Sequence, residues 1–88
     1  MGQITEYSGT WIKFIPANLA GLTTANWRVD SIEDGFELGY VKFHPRWRKY
    51  IYEPLENTIY EQDCLRDIAQ FCQDRTKEFW ASKKKAKA

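Results

Sequence analysis

The first half of the chain alternates between apolar and polar positions in short runs that are typical of β-strands. Residues 10–15, which read TWIKFI, are β-branched and aromatic and stop at Pro16, so they predict a first strand. Residues 26–32 predict a second strand with Trp27 and Val29 on one side and charged residues on the other. The residues between these two strands are small and turn-rich, which predicts a loop.

Two further strands are predicted at residues 37–43 and 47–53. The Asp-Gly pair at 34–35 precedes them and is a strong hairpin signal. The segment His-Pro-Arg at 44–46 joins the two strands, and Pro54 ends the second of them. These boundaries predict an antiparallel hairpin.

The period of the apolar residues changes to three and four over residues 61–82, which predicts an amphipathic helix. Its apolar stripe consists of Cys64, Leu65, Ile68, Phe71, Cys72 and Phe79. Asp63, Asp67 and Asp74 share the opposite face, which we expect to be solvated. Strands followed by a helix predict an α+β fold, in which an antiparallel sheet of three to four strands packs against one long C-terminal helix. We expect one domain over residues 1–82 and a flexible, lysine-rich tail over residues 83–88.

The register of the hairpin decides which faces of the sheet are apolar. A loop of three or five residues would place Lys42 opposite Arg48 and Tyr40 opposite Tyr50. Both faces would then be substantially apolar, and one helix cannot cover both. The first strand and the 16–25 loop are the favoured cover for the second face, and a partner is the alternative. The length of the 34–35 turn decides whether Trp27 joins the tyrosine face or the Val41 face.

Composition places the chain among ordinary globular proteins, with 88 residues, 43% hydrophobic and 28% charged. No membrane-spanning segment and no signal peptide is expected. The net charge is +1, but its distribution is uneven. Residues 37–53 carry four basic and two acidic side chains, and residues 83–88 add four lysines. Positive charge is therefore concentrated in the hairpin and in the tail.

The hairpin holds the candidate binding residues. Six aromatic residues lie between Phe36 and Tyr52, interleaved with basic ones. Such a pattern can stack on bases and neutralise phosphates, or bind an acidic protein surface. The candidate partner-binding residues are Lys42, His44, Arg46, Trp47, Arg48 and Lys49. A cross-strand pair of Lys42 and Arg48 would be mildly destabilising, which is tolerated in water but is also typical of an anion-binding tip.

Catalytic chemistry is not expected. His44 is the single histidine and lies in a hairpin tip, which is poorly suited to holding a catalytic geometry. Cys64 and Cys72 are eight residues apart on a helix, so their Cα atoms are about 12 Å apart, beyond the roughly 7 Å reach of a disulfide. We expect them to be small buried hydrophobic residues in a reducing compartment. Metal and cofactor sites are not expected, because the ligand spacings and glycine-rich motifs that mark them are missing.

Residues 38–54, LGYVKFHPRWRKYIYEP, together with Thr58 and the segment CLRDIAQF at 64–71, resemble small proteins of bacteriophages and integrated mobile elements. Those proteins share Gly-x-Val/Ile-Lys-aromatic, then Trp-Arg-x-Tyr-x-aromatic-x-Pro, then Thr, then Cys-Leu-x-Asp/Glu-Ile-x-x-Phe. The resemblance covers about residues 37–72. It implies a phage-type origin and a bacterial cytoplasm, and it transfers no catalytic residues because the family has no assigned activity.

Three functional hypotheses follow. The leading one is a non-catalytic accessory module whose hairpin tip contacts nucleic acid, with Trp47 available for stacking. The second is a protein inhibitor or adaptor that uses the same tip, or an uncovered sheet face, against an acidic bacterial host protein. The third is a structural or homo-oligomeric domain without a ligand.

Overall fold

A computed structural model describes residues 7–19 and 21–87 of the chain. The strands come first along the chain, and the helix follows them. Within these residues the elements are β1 (Tyr7–Ser8), β2 (Ile12–Ala17), β3 (Asn26–Ser31), β4 (Glu37–His44), β5 (Lys49–Pro54) and α1 (Gln62–Lys87). The strands form an antiparallel sheet in chain order, and α1 packs against it. The predicted α+β fold is confirmed, and the two-residue β1 brings the sheet to five strands.

The element boundaries differ from the predicted ones at both ends of the chain. β2 continues through Pro16, whose missing N–H is tolerated because the short β1 pairs only with Phe14 and Lys13. α1 continues to Lys87 instead of ending at residue 82. The backbone of residues 83–87 is therefore helical. The flexibility of the tail stays a prediction, and Ala88 and residues 1–6 lie outside the described residues.

The β4–β5 hairpin has a four-residue loop, Pro45 to Arg48. Its closing pair is His44 with Lys49, so Lys42 lies opposite Ile51. The predicted pairing of Lys42 with Arg48 is therefore wrong. The physical reason is the turn geometry: Arg48 has a left-handed backbone, with φ 60°, and its N–H donates to the His44 carbonyl at 2.7 Å. An even loop length exchanges the faces that an odd one would give.

This register sorts the apolar and charged residues onto opposite faces of the sheet. The helix-facing side of the central strands and β5 carries Trp27, Val29, Val41, Phe43, Tyr50 and Tyr52. Trp27 lies opposite Val41, as one of the two predicted turn lengths requires. A bulge between β3 and β4 also allows Leu38 to pack against the core.

The other face of the sheet is largely charged, so the expectation of two apolar faces is wrong. It carries Lys13, Arg28, Asp30, Tyr40, Lys42 and Glu53, with Ile15 and Ile51 between them. Arg28 makes two hydrogen bonds of 2.9 Å to Asp30, and Lys42 forms an ion pair with Glu53. The first strand does not provide the expected cover, because residues 12–17 form a strand within the sheet and so do not lie across its second face.

Phe71 lies at the centre of the helix–sheet interface. Its ring stacks on Phe14 at a centroid distance of 4.0 Å and meets the edges of Trp27 and Tyr7 at 5.1 and 5.2 Å. The predicted apolar stripe is confirmed along most of α1, but Leu65 is 52% exposed. Aromatic contacts of this kind stabilise a small core beyond their buried area, by about 0.5–1.5 kcal/mol per pair.

The expected solvated face of α1 is exposed only at Asp63, because Asp67 and Asp74 are half-buried, and the neighbouring Arg75 lies in the core. Arg75 is only 7% exposed, and its guanidinium carbon lies 4.4 Å from the Tyr7 ring centre and 4.6 Å from that of Phe71. It also makes two hydrogen bonds to Glu78, at 2.9 and 2.8 Å. Asp67 is half-buried instead of solvated, because it accepts the Thr10 N–H at 3.0 Å. The Arg75 guanidinium, which lies on aromatic rings, is therefore part of the core.

The cysteines are free, and their predicted burial is confirmed: Cys64 is buried and Cys72 is half-buried. Burial raises the pKa of the Cys72 thiol to about 11, and it also raises the pKa of Cys64. The thiolate form is therefore scarce at neutral pH, as expected for cysteines that serve as small hydrophobic residues. The reducing compartment stays a prediction.

Gly39 provides a test of the packing between β4 and β5. A Cβ at this position would lie 2.5 Å from the Glu53 carbonyl oxygen and 2.6 Å from the Tyr52 hydroxyl. We expect Gly39→Ala to lower the free energy of unfolding by about 1–3 kcal/mol, because the strands must separate. Urea unfolding measures this change. Gly35→Ala is the control, since Gly35 has φ 74° but open space around it. A smaller loss at Gly39 than at Gly35 would contradict the tight packing.

Candidate nucleic-acid interface

Trp47 lies in the hairpin tip, residues 44–49, and is held in place by two contacts with His44. The backbone N–H of Trp47 donates to His44 Nδ1 at 3.2 Å. The two rings stack, with centroids 4.5 Å apart and an interplanar angle of 16°. Trp47 is nevertheless 63% exposed. One face of the indole therefore rests on the imidazole, which leaves the other available for a flat partner such as a base.

The tip is anchored to the last third of α1. The Trp80 Nε1–H donates to the Arg48 carbonyl at 3.1 Å, and the Arg48 guanidinium carbon lies 5.1 Å from the Trp80 ring centre. Two residues further on, the Tyr50 N–H donates to Thr76 Oγ1 at 2.8 Å. Two hydrogen bonds and a cation–π contact therefore join the hairpin turn and β5 to α1.

Apolar packing reinforces the same junction. Phe43 stacks on Phe79 with centroids 4.3 Å apart, and the Lys83 ammonium lies 5.4 Å from the Phe79 ring centre. Lys49 and Lys77 line a common groove between β5 and α1. Tyr50 lies beneath this groove, and burial raises its pKa. The tip of the hairpin and the basic turns of the helix therefore form one end of the molecule.

We call this surface the basic end and define it by Arg46, Arg48, Lys49, Lys77 and Lys83. The ion pairs found among the described residues use none of these five cations. Glu78 lies on the same part of α1, but both of its carboxylate oxygens accept from Arg75. The positive charge of the basic end is therefore left to solvent or to a ligand.

The predicted site residues fall into two groups. His44, Arg46, Trp47, Arg48 and Lys49 lie together in and beside the turn. Lys42 lies further down β4, where its ammonium is paired with Glu53. That ion pair reduces the charge that Lys42 can offer to an anion.

Sequence reasoning missed Lys77 and Lys83 as members of the site. Their spacing from Trp80, three residues on either side, places all three residues within two turns of α1. A contact between Trp80 and the hairpin could not be read from that spacing, because it depends on the angle at which the helix crosses the sheet.

A second surface at the opposite end was also missed. Eight large hydrophobic side chains are exposed among the described residues, and six of them lie in the connections β1–β2, β3–β4 and β5–α1 or in the first turn of α1. We call them the apolar end: Trp11, Ile32, Phe36, Leu55, Ile59 and Leu65. Sequence reasoning missed them because most lie in connections, where apolar residues follow no strand or helix period.

No protein-family model, curated protein or solved structure matches this chain. The resemblance of residues 37–72 to phage proteins therefore stays a prediction, as do the expected absences of catalysis and of bound metal or cofactor. In the part of the chain that the structure describes, no helix combines the length and apolarity needed to cross a membrane.

Trp80 tests the junction between tip and helix. Trp80→Phe keeps an aromatic ring under Arg48 but removes the N–H donor, so we expect a loss of about 0.5–1 kcal/mol in unfolding free energy. Amide hydrogen exchange at residues 46–49 should also become faster, because the tip loses an anchor. The control is Trp47→Phe, which changes an exposed tryptophan without affecting this hydrogen bond. Unchanged exchange in Trp80→Phe would show that the anchor is not needed.

Proposed function

We propose that this protein is a non-catalytic binding module whose basic end contacts the phosphate backbone of single-stranded nucleic acid. Trp47 stacks on a base beside it. The observation that carries the proposal is the contact of Arg48 with Trp80, because it joins the cations of the hairpin to those of the helix. The hairpin contributes three of these cations and α1 two, so together they place five cations at the end of the molecule that carries the exposed Trp47.

The chemistry of the basic end matches a strand with unpaired bases. Lysine and arginine neutralise phosphates irrespective of base sequence, and aromatic side chains stack on bases that are not paired. Trp47 projects from a turn, and its open face suits a base better than the edge of a closed duplex. A helix that enters the major groove is the usual way to read a duplex, whereas α1 is partly covered by the sheet and contributes its last turns.

The biological setting is also a proposal. The resemblance of residues 37–72 to phage and mobile-element proteins supports an accessory protein that acts in the cytoplasm of a bacterial host. Small phage proteins of this kind do not need a catalytic site, since binding alone can protect or redirect a nucleic acid.

A protein inhibitor that docks on an acidic host protein is the second candidate. It is favoured by the pairing of an exposed Trp47 with Arg46, because tryptophan and arginine dominate the energetics of many protein interfaces. Docking through the open face of the sheet has less support, since Arg28 and Lys42 are already paired with carboxylates there.

A titration of a fluorescent single-stranded oligonucleotide tests the role of the cations. We expect the triple variant Arg46→Ser, Lys49→Ser and Lys77→Ser to bind at least about tenfold more weakly at low salt. The slope of log K against log salt should also fall by about 2, since each lost phosphate contact removes about 0.7 for a single strand. Fluorescence anisotropy at several salt concentrations measures both quantities.

The matched control removes three cations outside the basic end, with Lys13→Ser, Lys42→Ser and Arg66→Ser. It has the same net charge as the first variant, so any difference reports position and not total charge. Equal losses in the two triple variants would contradict a localised site. Wild-type binding that is absent or insensitive to salt would contradict the proposal, and retention of an acidic protein after nuclease treatment would then support the second candidate.

Trp47→Ala tests stacking in the same titration. Removal of one stacked base costs about 1–3 kcal/mol, so we expect roughly 5- to 100-fold weaker binding with an unchanged salt slope. Trp11→Ala, at the opposite end of the molecule, is the control and should bind like the wild type. Equal affinities of Trp47→Ala and the wild type would remove Trp47 from the site.

A further inference from the structure

The apolar end is a built surface and not a set of scattered side chains. The Ile32 N–H donates to the Trp11 carbonyl at 3.0 Å, which ties the β1–β2 and β3–β4 connections together. The Leu55 N–H donates to the Leu38 carbonyl at 2.9 Å, and the Thr58 hydroxyl donates to the Leu55 carbonyl at 2.8 Å. These bonds hold the loops in place, although they leave Phe36 68% and Ile59 91% exposed.

A cleft of about 470 Å³ opens between these loops and is partly lined by Trp11, Phe36 and Ile59. A group of exposed apolar side chains around a cleft usually marks an interaction site. The cleft has room for a large side chain such as an indole.

Carboxylates surround the apolar end. They are Glu33, Asp34, Glu37, Glu56, Glu61 and Asp63. Of these, Asp63 is paired with Arg66, and Glu37 accepts a hydrogen bond from the Tyr40 hydroxyl. Asp34 and Glu61 accept backbone N–H groups, from Phe36 and Cys64 respectively. A partner for this surface must therefore combine an apolar or aromatic group with positive charge.

The basic end of the same molecule has this combination. Trp47 is exposed and lies between Arg46 and Arg48 in the sequence, followed by Lys49, with further cations on α1. The two surfaces lie at opposite ends of a body that measures 44 × 26 × 26 Å. We propose that the apolar end of one copy binds the basic end of a second copy, with Trp47 entering the cleft.

Charge favours this head-to-tail arrangement over a symmetric one. Two apolar ends facing each other would bring two sets of carboxylates together, which is unfavourable at neutral pH. The net charge of +1 adds little repulsion between whole molecules. Opposite charges therefore select the orientation in which unlike ends meet.

The size of the ends limits the strength of the contact. An end face about 26 Å across can bury, at most, an area at the low end of the standard interface size. The head-to-tail contact is also heterologous, so it does not close on itself and extends into short chains. We therefore expect weak, concentration-dependent association that becomes weaker with salt.

Analytical ultracentrifugation of two complementary variants tests this arrangement. The first variant, Phe36→Ser with Ile59→Ser, retains only the basic end. The second, Arg46→Ser with Trp47→Ser, retains only the apolar end. We expect the mass of the nuclease-treated wild type to rise with concentration from micromolar to millimolar. Each variant alone should stay monomeric, and an equimolar mixture should form a 1:1 dimer that grows no further.

Three results would overturn the proposal: a wild type that stays monomeric throughout, a mixture that stays monomeric, or self-association of the second variant alone. The last result would mean that apolar ends pair with each other. All four altered side chains are exposed, so the substitutions remove no core contacts. Equal urea midpoints verify that all variants fold. Nucleic acid is absent from these measurements, so their outcome is independent of the oligonucleotide titrations.

Discussion

The backbone of Arg48 determines on which side of the sheet every residue of β5 lies. Its left-handed conformation closes a four-residue turn and sets His44 opposite Lys49. From this register, Tyr50 and Tyr52 face the helix together with Val41 and Phe43. A turn shorter or longer by one residue would move the tyrosines to solvent and bring Ile51 into the core. The same residue also offers its carbonyl to Trp80, so one position sets both the register and the anchor of the tip.

The helix links the two ends of the molecule. Phe71 packs the middle of α1 against β2 and β3. Cys64 and Ile68 bury the first turns of α1 near the loops of the apolar end, and Trp80 bonds its last turns to the hairpin. Because α1 spans this whole distance, charges that are far apart in the sequence are sorted by end. Carboxylates gather near the start of the helix and cations near its finish, which also complements the helix dipole.

Periodicity was enough to predict most of the secondary structure and part of the candidate site. Trp27 and Val29 alternate with charged residues, and Ile68, Phe71 and Cys72 recur at helical spacing, so their elements and faces followed directly. The β4–β5 register did not follow, because it depends on the backbone angle of Arg48 and not on hydrophobicity. The candidate binding residues between 44 and 49 could be predicted together because they are contiguous in the sequence. Lys77 joined them only through tertiary packing, and Ile59 was missed because an isolated apolar residue in a loop resembles many unremarkable ones.

The outer strand β5 has a consequence for how the protein meets other chains. The edge of a sheet usually offers a row of amide donors on which a further strand can form. In β5 the Tyr50 amide is already bonded to the Thr76 hydroxyl, and Pro54 has no amide hydrogen to give. Backbone pairing with a foreign strand is therefore discouraged at this edge. The proposed contacts at the two ends accordingly use side chains and not β-strand addition.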